Sequence, residues 1–258
     1  MKNLKLAAVC LSCLTMTGCS ALNFSVEGLI NAPKLTSEQS EIHQALIESV
    51  GSNITLKYPK NGEYRSAYVI ANIDDEPTDE AMVFYEYTSN GSEEDGLRVN
   101  ILDKDEDGKW YSVKELAGAG TDIDQVIISP MGSNNQTDVF VGYQNLTNDE
   151  KTMEIYSYTD GDFKRVALDT YSVLEPLDIN NDGYIELITI QRSTNNDTGA
   201  VTAKASMLNM KNNEITRGEN VDMCDNVTSY VSSKTGMLDS GRRAIFIDGL
   251  TADGKMQT

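Results

Sequence analysis

The chain has 258 residues, 40 of them acidic and 21 basic, and a net charge of −19 at pH 7. Such a surface repels phosphates, so nucleic acid and bare anionic lipid are excluded as expected partners. One histidine and four cysteines exclude the common Ser/His and Cys/His nucleophilic sets, and there is no phosphate loop, dinucleotide fingerprint or zinc spacing.

Residues 1–18 read as a secretion signal. Lys2 and Lys5 open it, and an apolar run of about eleven residues at 6–16 follows, well short of the ~20 that a spanning helix needs. Thr15-Met16-Thr17-Gly18-Cys19 resembles a bacterial lipobox, with Met16 where Leu is more usual. The resemblance implies that Cys19 becomes a lipidated N-terminus and holds the chain on the extracytoplasmic face of a cell membrane. Loss of residues 1–18 removes two lysines and no acid, leaving 19 basic residues against 40 acidic. Cys10 and Cys13 leave with the signal, so Cys224 has no partner for an internal disulfide, and a partly buried structural thiol is expected there.

Residues 19–35 read as a polar tether, and 36–51 as a short helix. Thr36-Ser37-Glu38-Gln39 has the capping-box pattern. Ile42, Ala45, Leu46 and Val50 share one face, and Gly51 stands where a helix stops. The only histidine, His43, lies on this helix; it is expected to be exposed and without a catalytic role.

From residue 54 to 258, short runs rich in Val, Ile, Tyr and Thr alternate with Gly/Asn/Asp clusters. The runs group in fours: 66–72, 80–87, 97–102 and 109–116; 123–129, 138–143, 152–158 and 163–168; 172–178, 185–191, 201–210 and 214–217; then 229–238 and 243–247. Second strands beginning at Glu80, Asp138, Glu186 and Arg243 align, with spacings of 58, 48 and 57. Four-stranded units near a 50-residue period predict a mostly β fold of antiparallel β-propeller blades, at 65–116, 122–168, 171–217 and, in part, 227–258. About three and a half blades fall short of the usual 4–8. A truncated chain is therefore expected, or else an open, curved stack with an exposed edge.

Asp107-Gly108 and Asp160-Gly161 read as tight hairpins between third and fourth strands. The first lies in Asp103-Lys-Asp105-Glu-Asp107-Gly108, which imitates a cation loop but falls at the wrong place between strands.

The strongest ligand signal is Asp178-Ile-Asn180-Asn-Asp182-Gly183-Tyr184-Ile-Glu186. Oxygen donors stand at positions 1, 3, 5 and 9, a Gly at 6 permits the turn, and Tyr184 offers a backbone carbonyl. Asp178, Asn180, Asp182, Tyr184 and Glu186 are thus the expected ligands of one calcium ion. Position 12 is Thr189 within a strand, which excludes an EF-hand. A plain Asx turn is the alternative. The matching segments are weaker. Residues 72–80 keep the oxygens but carry Pro77 for Gly, residues 130–138 keep only Asp138, and the fourth set has no usable donors.

Asp178-x-Asn180-x-Asp182-Gly183-x-x-Glu186 before a strand resembles the FG-GAP or VCBS-type repeat, which builds β-propellers in integrin-like ectodomains and bacterial surface proteins. The resemblance covers roughly residues 65–258, with one good repeat, and the whole chain resembles surface lipoproteins of anaerobic Firmicutes. It implies a lipid-anchored module that binds a protein or glycan and is not an enzyme. The alternatives are a structural or assembly module of the envelope, and a glycoside hydrolase working through two carboxylates. Trp110, Tyr111, Tyr143 and Tyr158 are candidates for a glycan platform, or else for blade packing.

Overall fold

A computed structural model describes residues 35–88, 96–131, 136–145, 150–179, 182–194, 197, 201–211, 214–222 and 227–258. The expected signal, tether, Cys19, Cys224 and Asn180 lie outside the described residues. The residues from Glu41 to Thr258 form one compact unit.

Helix α1 spans Ser37–Val50. Its capping box forms as expected: Gln39 N–H donates to Thr36 Oγ1 at 3.1 Å, and Thr36 N–H donates to Gln39 Oε1 at 3.2 Å. Gly51, at φ +87°, ends the helix.

Four antiparallel sheets follow in chain order. The first contains β1 (Ile54–Leu56), β2 (Tyr68–Ala71), β3 (Glu80–Tyr87), β4 (Leu97–Lys104) and β5 (Trp110–Ala117). The second is β6 (Asp122–Ser129), β7 (Asp138–Gln144), β8 (Lys151–Thr159) and β9 (Asp162–Tyr171). The third is β10 (Val173–Leu177), β11 (Glu186–Thr194), β12 (Val201–Lys211) and β13 (Glu214–Arg217), with β14 (Val221–Asp222) also pairing on β12. The fourth is β15 (Val227–Met237), β16 (Arg243–Thr251) and β17 (Met256–Gln257).

The groups of four are thus found, with boundaries moved by a few residues. The expected hairpins are also found. Asp160 and Gly161, both at positive φ, join Thr159 to Asp162. At the other, Asp105 N–H donates to the Lys109 carbonyl and Gly108 N–H to that of Asp105, so 103–108 is a hairpin turn.

One strand position departs from the pattern. β1 and β2 pair with opposite ends of β3, Ile54 facing Tyr87 and Ala71 facing Glu80. The first strand of this sheet is therefore split, and residues 58–66 leave it. Their backbone reaches β6, where Lys60 N–H donates to the Ile123 carbonyl at 3.1 Å and Asn61 N–H to that of Asp124 at 2.7 Å.

Period-two alternation assigns the faces. Met82 and Phe84 of β3 pack with Val139, Val141 and Tyr143 of β7 between the first two sheets. Ala81, Val83 and Tyr85 point the other way, against Ile42, Ala45 and Leu46 of α1. The helix thus covers the face of the first sheet turned away from the second. Phe140, Met153 and Ile155 pack with Leu174, Leu187 and Leu208 between the second and third sheets. His43 is half-buried, and its Nδ1 lies 2.8 Å from the Tyr68 hydroxyl. This corrects the expectation of an exposed side chain.

A buried polar hub ties these layers together. Asp124, 2% exposed, accepts from Asn61 Nδ2 and Lys151 Nζ at 2.8 Å and from the Tyr171 hydroxyl at 2.7 Å. Burial, then the Asp124 charge, drives the Tyr171 hydroxyl pKa far upward, so it stays a donor. Tyr171 fits because residue 142 is Gly: a Cβ there would lie 2.0 Å from its oxygen. The fourth sheet packs less fully. A groove of about 460 Å³ beside it is lined by Ile179, Ile188, Ala205, Val227, Ile245 and Ile247 among others.

Candidate functional site

The residue that opens each second strand does one job in three consecutive sheets. Glu80 Oε2 accepts the N–H of Ile73 at 2.8 Å, Asp138 Oδ2 that of Met131 at 3.0 Å, and Glu186 Oε2 that of Ile179 at 2.9 Å. The separation is seven residues each time. A carboxylate at the head of the strand thus closes the preceding loop by taking one of its backbone donors. The second oxygen of Asp138 accepts from the Ser157 hydroxyl of the same sheet.

Within these closed loops the first and third sheets differ. In the third, Asp178 is an acceptor. Its two oxygens take the N–H groups of Asp182 and Gly183 at 3.2 and 3.1 Å, and Asp182 Oδ1 takes that of Tyr184 at 2.9 Å. Gly183 sits at φ +90°, a backbone position that favours glycine. Asp178, Asp182 and Glu186 are hard oxygen donors of the kind calcium selects, and their oxygens keep lone pairs after accepting an N–H. Yet no three His, Cys, Asp or Glu side chains are gathered around one metal position among the described residues. Asp178, Asp182 and Glu186 thus match calcium in donor type only, and in this structure each is bonded to backbone N–H groups of its own loop.

In the first sheet the matching residue is Asn72, and it is a donor. Its Nδ2 reaches the carbonyls of Glu76 at 2.6 Å and Thr78 at 3.0 Å. An amide group thus satisfies loop carbonyls from within, with no ion.

This first loop overlies an unusual concentration of carboxylates. Ala81 faces Leu102 and Asp103 faces Tyr111, so Glu80, Asp103 and Tyr111 fall in one row across β3, β4 and β5. Glu80 is 1% exposed, and its Oε1 has no hydrogen-bond partner. Burial, opposed by the Ile73 N–H and reinforced by Asp74 and Asp103, pushes its pKa up to about 7. Burial and the charges of Asp103 and Asp75 also raise Asp74, against a lowering bond from the Glu76 N–H.

The four candidate aromatics separate by place. Trp110 and Tyr143, at 2% and 0% exposure, are packing residues. Trp110 lies in the core beneath α1, with the Lys104 ammonium 4.4 Å from its ring centroid. Tyr111 is 45% exposed, and Tyr158 is half-buried against Phe163. Tyr111 stands opposite Asp103, its hydroxyl donating to that carboxylate at 3.5 Å. The hydroxyl pKa values of both tyrosines are raised by burial and then by carboxylates, Asp103 and Glu76 among those acting on Tyr111, Asp74 and Asp75 among those acting on Tyr158. Sequence reasoning missed the joining of this acidic set with the two tyrosines. The pairing of β4 on β3 and the packing of the second sheet create it, and neither has a short-range signal.

Comparison with known protein families, curated proteins and solved structures finds no match to this chain.

Proposed function

We propose that the chain is a lipoprotein held by lipid on Cys19 at the extracytoplasmic face of a membrane. Its repeated sheets form a propeller-like module that binds a protein or glycan, and its 178–186 loop takes one calcium ion. The observation that carries this reading is the loop closure repeated at Glu80, Asp138 and Glu186 in three successive sheets. A shared device at a shared register supports descent of the sheets from one repeat, as the sequence resemblance to FG-GAP or VCBS-type repeats implies. Arrays of this kind present extended surfaces suited to binding.

Thermal unfolding in millimolar calcium and in EDTA tests the metal claim, and retention of envelope proteins and glycans by the immobilised chain tests the binding claim. A calcium-raised transition that Asp182→Ala makes insensitive to the ion supports the loop assignment. A transition indifferent to calcium leaves a plain turn. Calcium-dependent folding with nothing retained favours the assembly module instead.

A further inference from the structure

The junctions between successive sheets are filled to different degrees. Between the first and second, the void left among Met82, Val99, Val139, Val141 and their neighbours is about 10 Å³. Between the third and fourth, the groove lined by Ile179, Ile188, Ala205, Val227, Ile245 and Ile247 holds about 460 Å³. A cavity of about 230 Å³ beside it shares Ile179, Arg243 and Ala244 with the groove. Side chains close the first junction as they close a protein interior. At the other, apolar walls enclose space of the size that takes a small organic molecule.

One charged residue of this groove breaks the pattern of the chain. The second strands of the first three sheets open with Glu80, Asp138 and Glu186, each closing the loop before it. β16 opens with Arg243. The turn before it is closed by backbone alone: Leu238 N–H donates to the Arg242 carbonyl and Gly241 N–H to that of Leu238, both at 2.8 Å. Arg243 lies instead where the groove and the smaller cavity meet, its Nη1 donating to the Asp178 carbonyl at 3.0 Å. Among the described residues, no ion pair involves Arg243. A guanidinium presents a planar fork of N–H donors that matches a carboxylate, and one carbonyl does not use it up. The acidic residue of the lining, Asp222, lies 3.8 Å from the Lys204 ammonium, which offsets its charge.

We propose that the groove binds an anionic amphiphile, an unbranched apolar chain ending in a carboxylate. The chain lies along Ile188, Val227, Ile245 and Ile247, and the carboxylate meets Arg243. Charge selects the head group. The protein carries a net charge of −19 at pH 7, so anions are repelled in general, and holding one requires a local cation. The apolar walls select the tail, which gains by leaving water. This site adds a ligand class to the protein-or-glycan reading and depends neither on that reading nor on calcium in the 178–186 loop.

The test is calorimetry on the full chain at pH 7 and low salt, with octanoate, decanoate and 1-octanol as probes. Decanoate is expected to bind about tenfold more tightly than octanoate, because each buried methylene multiplies affinity about threefold. Octanoate is expected to bind at least about tenfold more tightly than 1-octanol, through the charge-assisted bond to Arg243. Arg243→Gln should remove that preference and change the affinity for 1-octanol by less than about twofold. Arg243→Lys keeps the charge without the fork and should retain part of the preference. Ala205→Leu narrows the groove and should weaken all three probes together. Absence of decanoate binding overturns the proposal. Equal affinity for octanoate and 1-octanol, or a preference that survives Arg243→Gln, overturns it as well. If Arg243→Gln fails to fold, Ala205→Leu decides, since unchanged decanoate affinity there would place the ligand elsewhere.

Discussion

The loops at 72–80 and 178–186 occupy the same place in their sheets and are closed by the same bond, from a strand-opening carboxylate to a backbone N–H seven residues earlier. Their first residues have opposite polarity. Asn72 donates to loop carbonyls, whereas Asp178 accepts loop N–H groups. A donor at that position does internally what a cation does for a carbonyl-lined loop, and an acceptor there leaves the carbonyls to other partners. One amide-for-carboxylate difference thus separates a loop whose carbonyls are bonded from within from one whose first side chain is spent on backbone N–H groups.

The sharpest way to break this comparison is Asn72→Asp. The variant loses both donors and adds a carboxylate beside Asp74 and Asp75. Chemical denaturation in EDTA should show a loss of about 1–3 kcal/mol from the two lost bonds and added repulsion. An unchanged midpoint would mean that the Asn72 bonds contribute nothing. Next in size is Asp182→Ala. It should erase the calcium response of the whole chain, which for the parent is worth about 2.7 kcal/mol at a hundredfold excess over Kd.

Glu80→Gln should act in the opposite direction and stabilise the chain. An acid whose folded pKa is raised gives stability that is complete below its unfolded value, near 4.5, and is lost as pH rises through about 7. Glutamine keeps an acceptor for the Ile73 N–H and removes the buried charge. Unfolding midpoints should therefore agree at pH 4.5 and favour the variant by about 1–3 kcal/mol at pH 8. Parallel pH curves for parent and variant would show that Glu80 is not the titrating group. The smallest effect is expected from Gly183→Ala, about 1 kcal/mol. Its φ of +90° is strained for alanine, while open space around it removes any clash. Pro77→Gly at the matching position should recover no calcium response, because Asn72 still fills the loop.

The parts of the fold visible in the sequence are those set by short-range chemistry. The capping box at Thr36, the Asp160-Gly161 turn and the alternation through Met82, Val83 and Phe84 each follow from residues a few positions apart. The excursion at 58–66 was not legible. Lys57-Tyr-Pro-Lys-Asn-Gly62 reads as a loop, and its backbone bonds to β6 involve carbonyls more than sixty positions away, which carry no residue-specific signal. The loop-closing role of Glu186 was hidden for a related reason. A carboxylate at position 9 looks the same whether it serves a metal or the Ile179 N–H, and only the matching bonds of Glu80 and Asp138 reveal the latter. His43 was misjudged because the Tyr68 hydroxyl that meets it belongs to a strand 25 positions on.

The helix over the first sheet gives the array a direction. With Ile42, Ala45 and Leu46 seated against Ala81, Val83 and Tyr85, that side is sealed in the way a capped filament is sealed. Sheets inserted or deleted beyond it would leave this junction untouched, whereas a sheet added on the helical side would first have to evict α1.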